Sequence, residues 1–210
     1  MKLILDTSSP EMQVILARST KDFSCCSQTK EKHQKHLLPE IEKLLAKETL
    51  SLNDIDEFAV VVGPGSFTGI RLAVATVKAC CFIDNTKKIQ PINMLNLLAY
   101  KLSKSEKDFA VAIKCTSSKV YLGIKQGDKY RTETMLNADA INVSNGKKLF
   151  GFNMDSVGEH PVEQVVLTEQ DYVDYVFRKD IKYTSVAELE PVYMALSQAE
   201  EELFKKEGKS

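Results

Sequence analysis

A glycine-rich segment at residues 63–71, with the sequence GPGSFTGIR, carries the strongest local signal for chemistry. It joins an apolar run typical of a buried strand, residues 58–63, to an apolar stretch that predicts a helix over residues 68–83. Phosphates often bind at such a junction, because backbone N–H groups point outward at a helix N-terminus. The segment is not a P-loop, since the Lys-Ser/Thr pair is missing, and Ser66 lacks the flanking glycines of a nucleophile elbow. A tight turn with helix capping by Ser66 or Thr68 is the simpler interpretation.

A carboxylate and three hydroxyls follow one another at the end of the first predicted strand, residues 2–6. A carboxylate in such a hairpin can hold hydrated Mg²⁺ beside nucleotide phosphates, although aspartate is equally at home in an Asx turn. The candidates for nucleotide binding are therefore Asp6, Thr7, Ser8, Gly65 and Ser66.

The opening pattern of the chain returns in its second half, where residues 111–117 can be laid against residues 3–9. This weak echo favours two related halves, each opening with a hairpin. It places Lys114 opposite Asp6. Phosphoryl transfer needs one group to position the metal and another to position the attacking water, so Lys114 argues against a complete ATPase site.

Two histidines, His33 and His36, could share one helical face and are a weak indication of a metal site. The only other histidine is His160, and no acidic third ligand is evident. A solvated helix start is the better interpretation, and we expect no metal site.

The elements that must position these residues alternate between strands and helices, which indicates an α/β fold with some parallel pairing. The predicted strands are residues 2–6, 13–18, 23–28, 58–63, 89–93, 109–113, 120–125 and 130–135. The predicted helices are residues 36–47, 68–83, 95–103, 170–178 and a last one near 200–206. The stretch from about 138 to 168 predicts loops and short strands.

The predicted helix after the glycine loop is apolar around nearly its whole circumference, which indicates burial on every side. One side can pack on the sheet, while the helix at residues 37–45 could cover part of the other side and a partner protein could cover the rest. An internal core helix and a protein interface both fit the pattern. The candidate partner-binding residues are Leu37, Leu38, Ile41, Leu45, Phe67, Ile70, Arg71, Ala73, Val74 and Val77.

The composition sets further limits on function. Lys and Arg number 28 and Asp and Glu 29, so the net charge is −1 and no basic surplus favours nucleic acid binding by the chain alone. Five cysteines without a C-x-x-C pattern argue against a disulfide framework and fit a reducing cytosol. The apolar run at the first residues is shorter than the one a signal peptide needs. No stretch approaches the about 20 consecutive apolar residues of a membrane helix.

Three segments and the chain's ending resemble the TsaB (YeaZ) family: Leu5-Asp6-Thr7-Ser8, His36–Ile41, the loop Gly63–Arg71, and Pro191-Val192-Tyr193 as the family's Pro-x-Tyr close. The loop is the most specific of these. The second half matches poorly, because Lys114-Cys115-Thr116 stands where the family usually shows Asp-Ala-Arg.

The resemblance implies an actin-like fold of two halves, residues 1–105 and a reduced half at 106–210 whose last helix packs back on the first. It implies a cytoplasmic, non-catalytic subunit that supports the catalytic paralogue TsaD, with the ATPase TsaE joining them. Together these transfer threonylcarbamoyl from its AMP adduct to the adenosine beside the anticodon in tRNA. The two apolar helices at residues 37–45 and 70–81 predict a docking surface for TsaD, and for a homodimer when TsaD is absent. The net charge predicts tRNA contact only through the complex.

Two enzymes are the alternatives to this supporting role. One is a small actin-like ATPase or metabolite kinase, which would need a second carboxylate near the phosphates. The other, a metallopeptidase, rests only on older labelling of the wider superfamily. We expect no resident cofactor, and binding of ATP or ADP with Mg²⁺ at a subunit junction stays open.

Overall fold

The N-terminal sheet has five strands in the order β3-β2-β1-β4-β5. The computed structural model describes residues 1–27, 33–82, 84, 86–144 and 146–193 of the 210-residue chain. The strands of this sheet are β1 Lys2–Asp6, β2 Gln13–Ala17, β3 Phe23–Ser27, β4 Glu57–Gly63 and β5 Lys88–Asn93. The first three form an antiparallel meander, and β4 and β5 are added parallel to β1. The apolar run in β4 is buried on both faces, as a central parallel strand requires.

The C-terminal sheet repeats this order as β8-β7-β6-β9-β12. Its strands are β6 Phe109–Lys114, β7 Lys119–Gln126, β8 Lys129–Leu136, β9 Lys148–Phe152 and β12 Glu163–Gln164. Again three antiparallel strands come first, and two parallel strands join the other side of the first one. The shared topology confirms an α/β architecture of two related halves. A separate ribbon joins β10 Ser156–Val157 to β11 His160–Pro161.

Helices and sheets alternate in layers. The helices are α1 His33–Lys47, α2 Phe67–Phe82, α3 Met94–Leu102, α4 Asn137–Val143 and α5 Glu169–Val176, with a 3₁₀ turn at Leu52–Asp54. Helices α1 and α2 cover the outer face of the N-terminal sheet. Helices α3 and α5 lie between the two sheets, in a core shared by both, and α4 covers the outer face of the C-terminal sheet. No helix in the described ranges has the length and apolar character that a membrane span requires.

The structure differs from the sequence predictions at several boundaries. Helix α1 begins at His33, three residues before the predicted start at residue 36. The stretch predicted as loops and short strands also contains α4 and the five-residue strand β9. The predicted helix near residues 200–206 lies outside the described residues.

The end of the described chain returns to the N-terminal half. Thr184 forms a bridge with Ile89, Leu189 is buried in the core beneath α1 and α2, and the Val192 N–H donates to the carbonyl of Val62 over 2.8 Å. The last described residues therefore lie beside the end of β4, where the glycine loop begins.

Candidate functional site

Asp6 is fully buried at the carboxyl end of β1, and both of its carboxylate oxygens accept hydrogen bonds. Oδ1 accepts from the backbone N–H of Ser8 at 2.7 Å and from its hydroxyl at 2.6 Å. Oδ2 accepts from the hydroxyl of Tyr172, on α5, at 2.6 Å. Burial raises the pKa of Asp6, although the hydrogen bonds from Ser8 and Tyr172 oppose the shift. Because Asp6 is fully buried and both of its carboxylate oxygens accept hydrogen bonds from the chain itself, it is not open to a hydrated Mg²⁺ in this structure.

The turn after β1 packs directly against the glycine loop. The Thr7 hydroxyl donates to the Gly69 carbonyl at 2.6 Å, and the Ser66 N–H donates to the Ser8 carbonyl at 2.8 Å. A Cβ at Gly69 would lie 1.8 Å from the Thr7 carbonyl oxygen, and one at Gly65 would lie 2.7 Å from that of Ser8. The glycines permit this approach because only a residue without a side chain fits there.

This packing settles where the five candidate nucleotide-binding residues lie. Asp6, Thr7 and Ser8 are buried, while Gly65 is partly exposed and Ser66 is exposed. Only the glycine loop therefore presents a surface to solvent, and the hydroxyls of Thr7 and Ser8 are used in internal hydrogen bonds. The Ser66 side chain also accepts from the Gly69 N–H at 3.2 Å, which is the capping expected from the sequence.

The Pro-x-Tyr segment at residues 191–193 packs against the start of α2. Arg71 Nε donates to the Tyr193 hydroxyl at 2.8 Å, and the guanidinium carbon lies 4.0 Å from the centroid of the Phe67 ring. The Phe67 and Tyr193 rings are 5.0 Å apart. Gly63 has φ of +124°, and a Cβ there would lie 2.7 Å from the Val192 carbonyl oxygen. Residues 191–193 and the glycine loop are therefore in direct contact.

Most of the candidate partner-binding side chains are not on the surface. Three are exposed, namely Leu38, Phe67 and Arg71. Seven are buried against the N-terminal sheet: Leu37, Ile41, Leu45, Ile70, Ala73, Val74 and Val77. For these seven the structure corrects the expectation of direct contact, because their side chains are already covered by the chain's own sheet. Whether this side of the molecule docks a partner stays a prediction.

The outward side of α2 is formed by other residues. Arg71, Ala75, Ala79 and Phe82 are all exposed, and their spacing of three or four residues places them on one side of the helix. Phe82 has 84% of its surface exposed, and Leu38 on α1 has 58%. The sequence could not identify this stripe, because the buried Ala73 and the exposed Ala75 are chemically identical.

The histidines do not form a metal site in the described residues. His33 Nε2 lies 3.1 Å from the carbonyl oxygen of Pro10, and the described residues contain no group of three or more potential metal ligands.

In the second half, Lys114 ends β6 with its side chain exposed. Its counterpart Asp6 is buried, so the two positions differ in environment as well as in charge.

Comparison with known proteins agrees with this architecture. A family model described as "TsaD: tRNA N6-adenosine threonylcarbamoyltransferase" matches residues 26–186. The chain is 31% identical over 134 residues to the tRNA threonylcarbamoyladenosine biosynthesis protein TsaB of Haemophilus influenzae, covering 62% of this chain and 56% of that protein. The chain belongs to the TsaB (YeaZ) family, within the group that this TsaD model describes.

Other TsaB relatives extend the match. TsaB of Buchnera aphidicola subsp. Acyrthosiphon pisum is 25% identical over 189 residues, which cover 85% of each chain. The stronger matches are shorter, and there the chain spans about half the length of its TsaB relatives. The solved structure of YeaZ from Pseudomonas aeruginosa superimposes with a TM-score of 0.69 at 21% identity, covering 91% of this chain and 98% of that one. Together with the family model, this structural likeness confirms the α/β actin-like fold.

Proposed function

We propose that the chain is a non-catalytic subunit of the machinery that makes threonylcarbamoyladenosine in tRNA. In this role it supports a TsaD-type transferase by forming a heterodimer, and a TsaE-type ATPase joins them. The TsaB relatives and the family model support the pathway. The net charge of −1 supports contact with tRNA through the complex rather than by this chain alone.

The observation that carries the non-catalytic role is the contrast between Asp6 and Lys114. An actin-like ATPase needs acidic groups from both halves, one to position the metal and one to position the attacking water. In this chain the buried carboxylate of Asp6 accepts hydrogen bonds from Tyr172 and Ser8. The equivalent position in the other half is Lys114. This pair supports a fold retained for assembly rather than for turnover.

The heterodimer is supported by the exposed stripe of α2. Ala75 and Ala79 are small enough to let another helix approach closely, and Phe82 and Leu38 add apolar surface. Large apolar side chains that are exposed to water often mark a protein interface. A partner of the same fold would present a similar helix pair, and the same face would allow a homodimer when the partner is absent.

A reconstitution experiment tests the proposal. The TsaD and TsaE homologues of the same organism are purified and incubated with tRNA, ATP and the threonylcarbamoyl donor, with and without this chain. We expect modified tRNA only when the chain is present, together with a TsaD complex on gel filtration. Modification at an undiminished rate without the chain would refute the supporting role.

A variant separates support from catalysis. Asp6→Asn removes the remaining carboxylate with little change of shape, and we expect it to support tRNA modification as the unaltered chain does. A loss of modification with the TsaD complex intact would instead point to chemistry within this chain.

A further inference from the structure

A cleft of about 360 Å³ lies in the C-terminal half, beyond the carboxyl ends of the parallel neighbours β6 and β9. One wall is the turn after β6, and the other is the segment of residues 153–158 after β9, which includes strand β10. Small-molecule sites usually have volumes of about 300–1,000 Å³, and in open α/β sheets they lie outside the carboxyl ends of parallel strands. The cleft has the size and the place of such a site.

The corresponding place in the N-terminal half is closed. There the turn after β1 and the loop after β4 are in direct contact, through Thr7 with Gly69 and Ser8 with Gly65. In the C-terminal half the two equivalent segments stand apart and leave the cleft between them. The open space therefore distinguishes one half from the other.

The two walls carry opposite charges that do not neutralise each other. Lys114 is exposed on the β6 side and makes no ion pair or hydrogen bond with any residue that the structure describes. Asp155 lies on the other wall, where its Oδ1 accepts from Gln164 Nε2 at 2.9 Å. Its Oδ2 has no partner among the described residues, so a cation and a carboxylate oxygen both remain open to a ligand.

Neutral groups in the cleft complement these charges. The Thr116 oxygen accepts from the backbone N–H groups of Ser118 at 3.3 Å and Lys119 at 3.1 Å, so its hydroxyl hydrogen is available to a bound anion. Asn137 donates from Nδ2 to the Ser117 carbonyl at 3.2 Å, whereas its buried Oδ1 accepts no hydrogen bond. A buried acceptor without a donor is unfavourable, and a ligand N–H that reached it would remove that penalty.

We propose that this cleft binds a small zwitterion of the α-amino-acid type, with its carboxylate at Lys114 and Thr116 and its ammonium at Asp155 and Asn137. Inorganic phosphate would match Lys114 but face the like charge of Asp155. A simple amine would leave Lys114 unmatched. Only a ligand with both charges satisfies both walls. The inference goes beyond the proposed function and does not rest on it.

The test is a direct titration of the ¹⁵N-labelled full chain. Each proteinogenic L-amino acid is added up to about 10 mM, a range that detects weak binding, and the amide shifts around residues 114–118 and 153–158 are followed. Propionate, propylamine and inorganic phosphate are the control probes, because each carries charge of one sign only. We expect at least one amino acid to shift these amides in a saturable way, and the control probes to bind at least about tenfold more weakly.

Variants assign the site. Lys114→Met and Asp155→Asn should each weaken amino-acid binding at least about tenfold, whereas Lys129→Met and Asp139→Asn, at exposed positions that do not line the cleft, should leave it unchanged. All four change exposed side chains, and an unchanged amide spectrum outside the cleft verifies folding. The proposal is overturned if no amino acid binds, if phosphate or propionate binds as tightly, or if the two cleft variants bind normally.

Discussion

The hydroxyl of Tyr172 donates a hydrogen bond to Asp6 Oδ2 across 2.6 Å, and it joins two residues 166 positions apart in the chain. Asp6 ends the first strand, and Tyr172 belongs to the last described helix, which lies between the two sheets. Both side chains are buried. The contact therefore joins helix α5 to the turn that supports the glycine loop.

Removing this hydroxyl should destabilise the protein. In Tyr172→Phe the ring still fills its space, but a buried carboxylate loses a donor, which costs about 1–3 kcal/mol. Urea unfolding should show that loss in the free energy of unfolding. Tyr100→Phe is the matched control, because the Tyr100 hydroxyl has no hydrogen-bond partner in the described part of the chain. Its removal should change the free energy of unfolding by no more than about 0.5 kcal/mol. Equal effects of the two substitutions would contradict the assigned role of Tyr172.

The raised pKa of Asp6 predicts a pH dependence of stability. Because burial raises its folded-state pKa above the unfolded value, near 3.8, the ionised form is less favourable in the folded state. Its contribution to stability is fully present below the unfolded pKa and is lost as pH rises through the folded pKa. Asp6→Asn removes this titration. We therefore expect the stability of the unaltered chain relative to Asp6→Asn to decrease from about pH 4 towards neutral pH.

Asp171 supplies a control of opposite sign. Burial alone would raise the pKa of Asp171, but hydrogen bonds from Lys101 and Thr168 bring it below its usual value. Its contribution is present above the unfolded pKa and is lost as pH falls through the folded pKa. The difference between the unaltered chain and Asp171→Asn should therefore increase with pH over the acidic range. Parallel pH profiles for the Asp6 and Asp171 variants would contradict the assignment.

The close approach at Gly69 predicts that alanine is harmful there. In an ordinary helix Gly→Ala stabilises by about 1 kcal/mol. Here the new Cβ would lie 1.8 Å from the Thr7 carbonyl oxygen, so the turn and the loop must separate. Overpacking of this kind costs about 1–3 kcal/mol, and we expect a net decrease in the free energy of unfolding and a shift of the amide signals of residues 6–9. An increase in stability would show that the two segments are not held together.

Part of this site could be predicted from the sequence. The apolar run before Gly63 and the glycines after it located the loop, and the alternation of elements indicated the α/β fold. The contact of Tyr172 with Asp6 could not be predicted, because α5 has no motif and no periodicity that names its partner. The exposed side of α2 was equally hidden, since the helix is apolar all round and periodicity cannot say which side the sheet covers.

The purified chain should not turn over ATP at an enzymatic rate. Asp6 is sealed by its hydrogen bonds, and Lys114 replaces the second carboxylate. A phosphate-release assay with Mg²⁺ should give no turnover above the level of an Asp6→Ala variant. A rate within about 1–10³ s⁻¹, typical of enzymes, that disappears in Asp6→Ala would instead establish the alternative, an actin-like ATPase or metabolite kinase.

A charge on the exposed stripe of α2 should abolish partner binding without unfolding the chain. Ala75 is exposed, so the side chain of a glutamate there stays in water in the monomer. In a close helix–helix contact the same carboxylate would be buried without a compensating charge. We expect Ala75→Glu to weaken binding of the TsaD homologue, and self-association, by at least about tenfold in analytical ultracentrifugation, with an unchanged melting temperature. Ala138→Glu, exposed on α4 in the other half, is the control and should bind normally. Ala73→Glu should unfold the chain, because Ala73 is fully buried against the N-terminal sheet. If Ala75→Glu binds TsaD with full affinity, this stripe is not the docking surface.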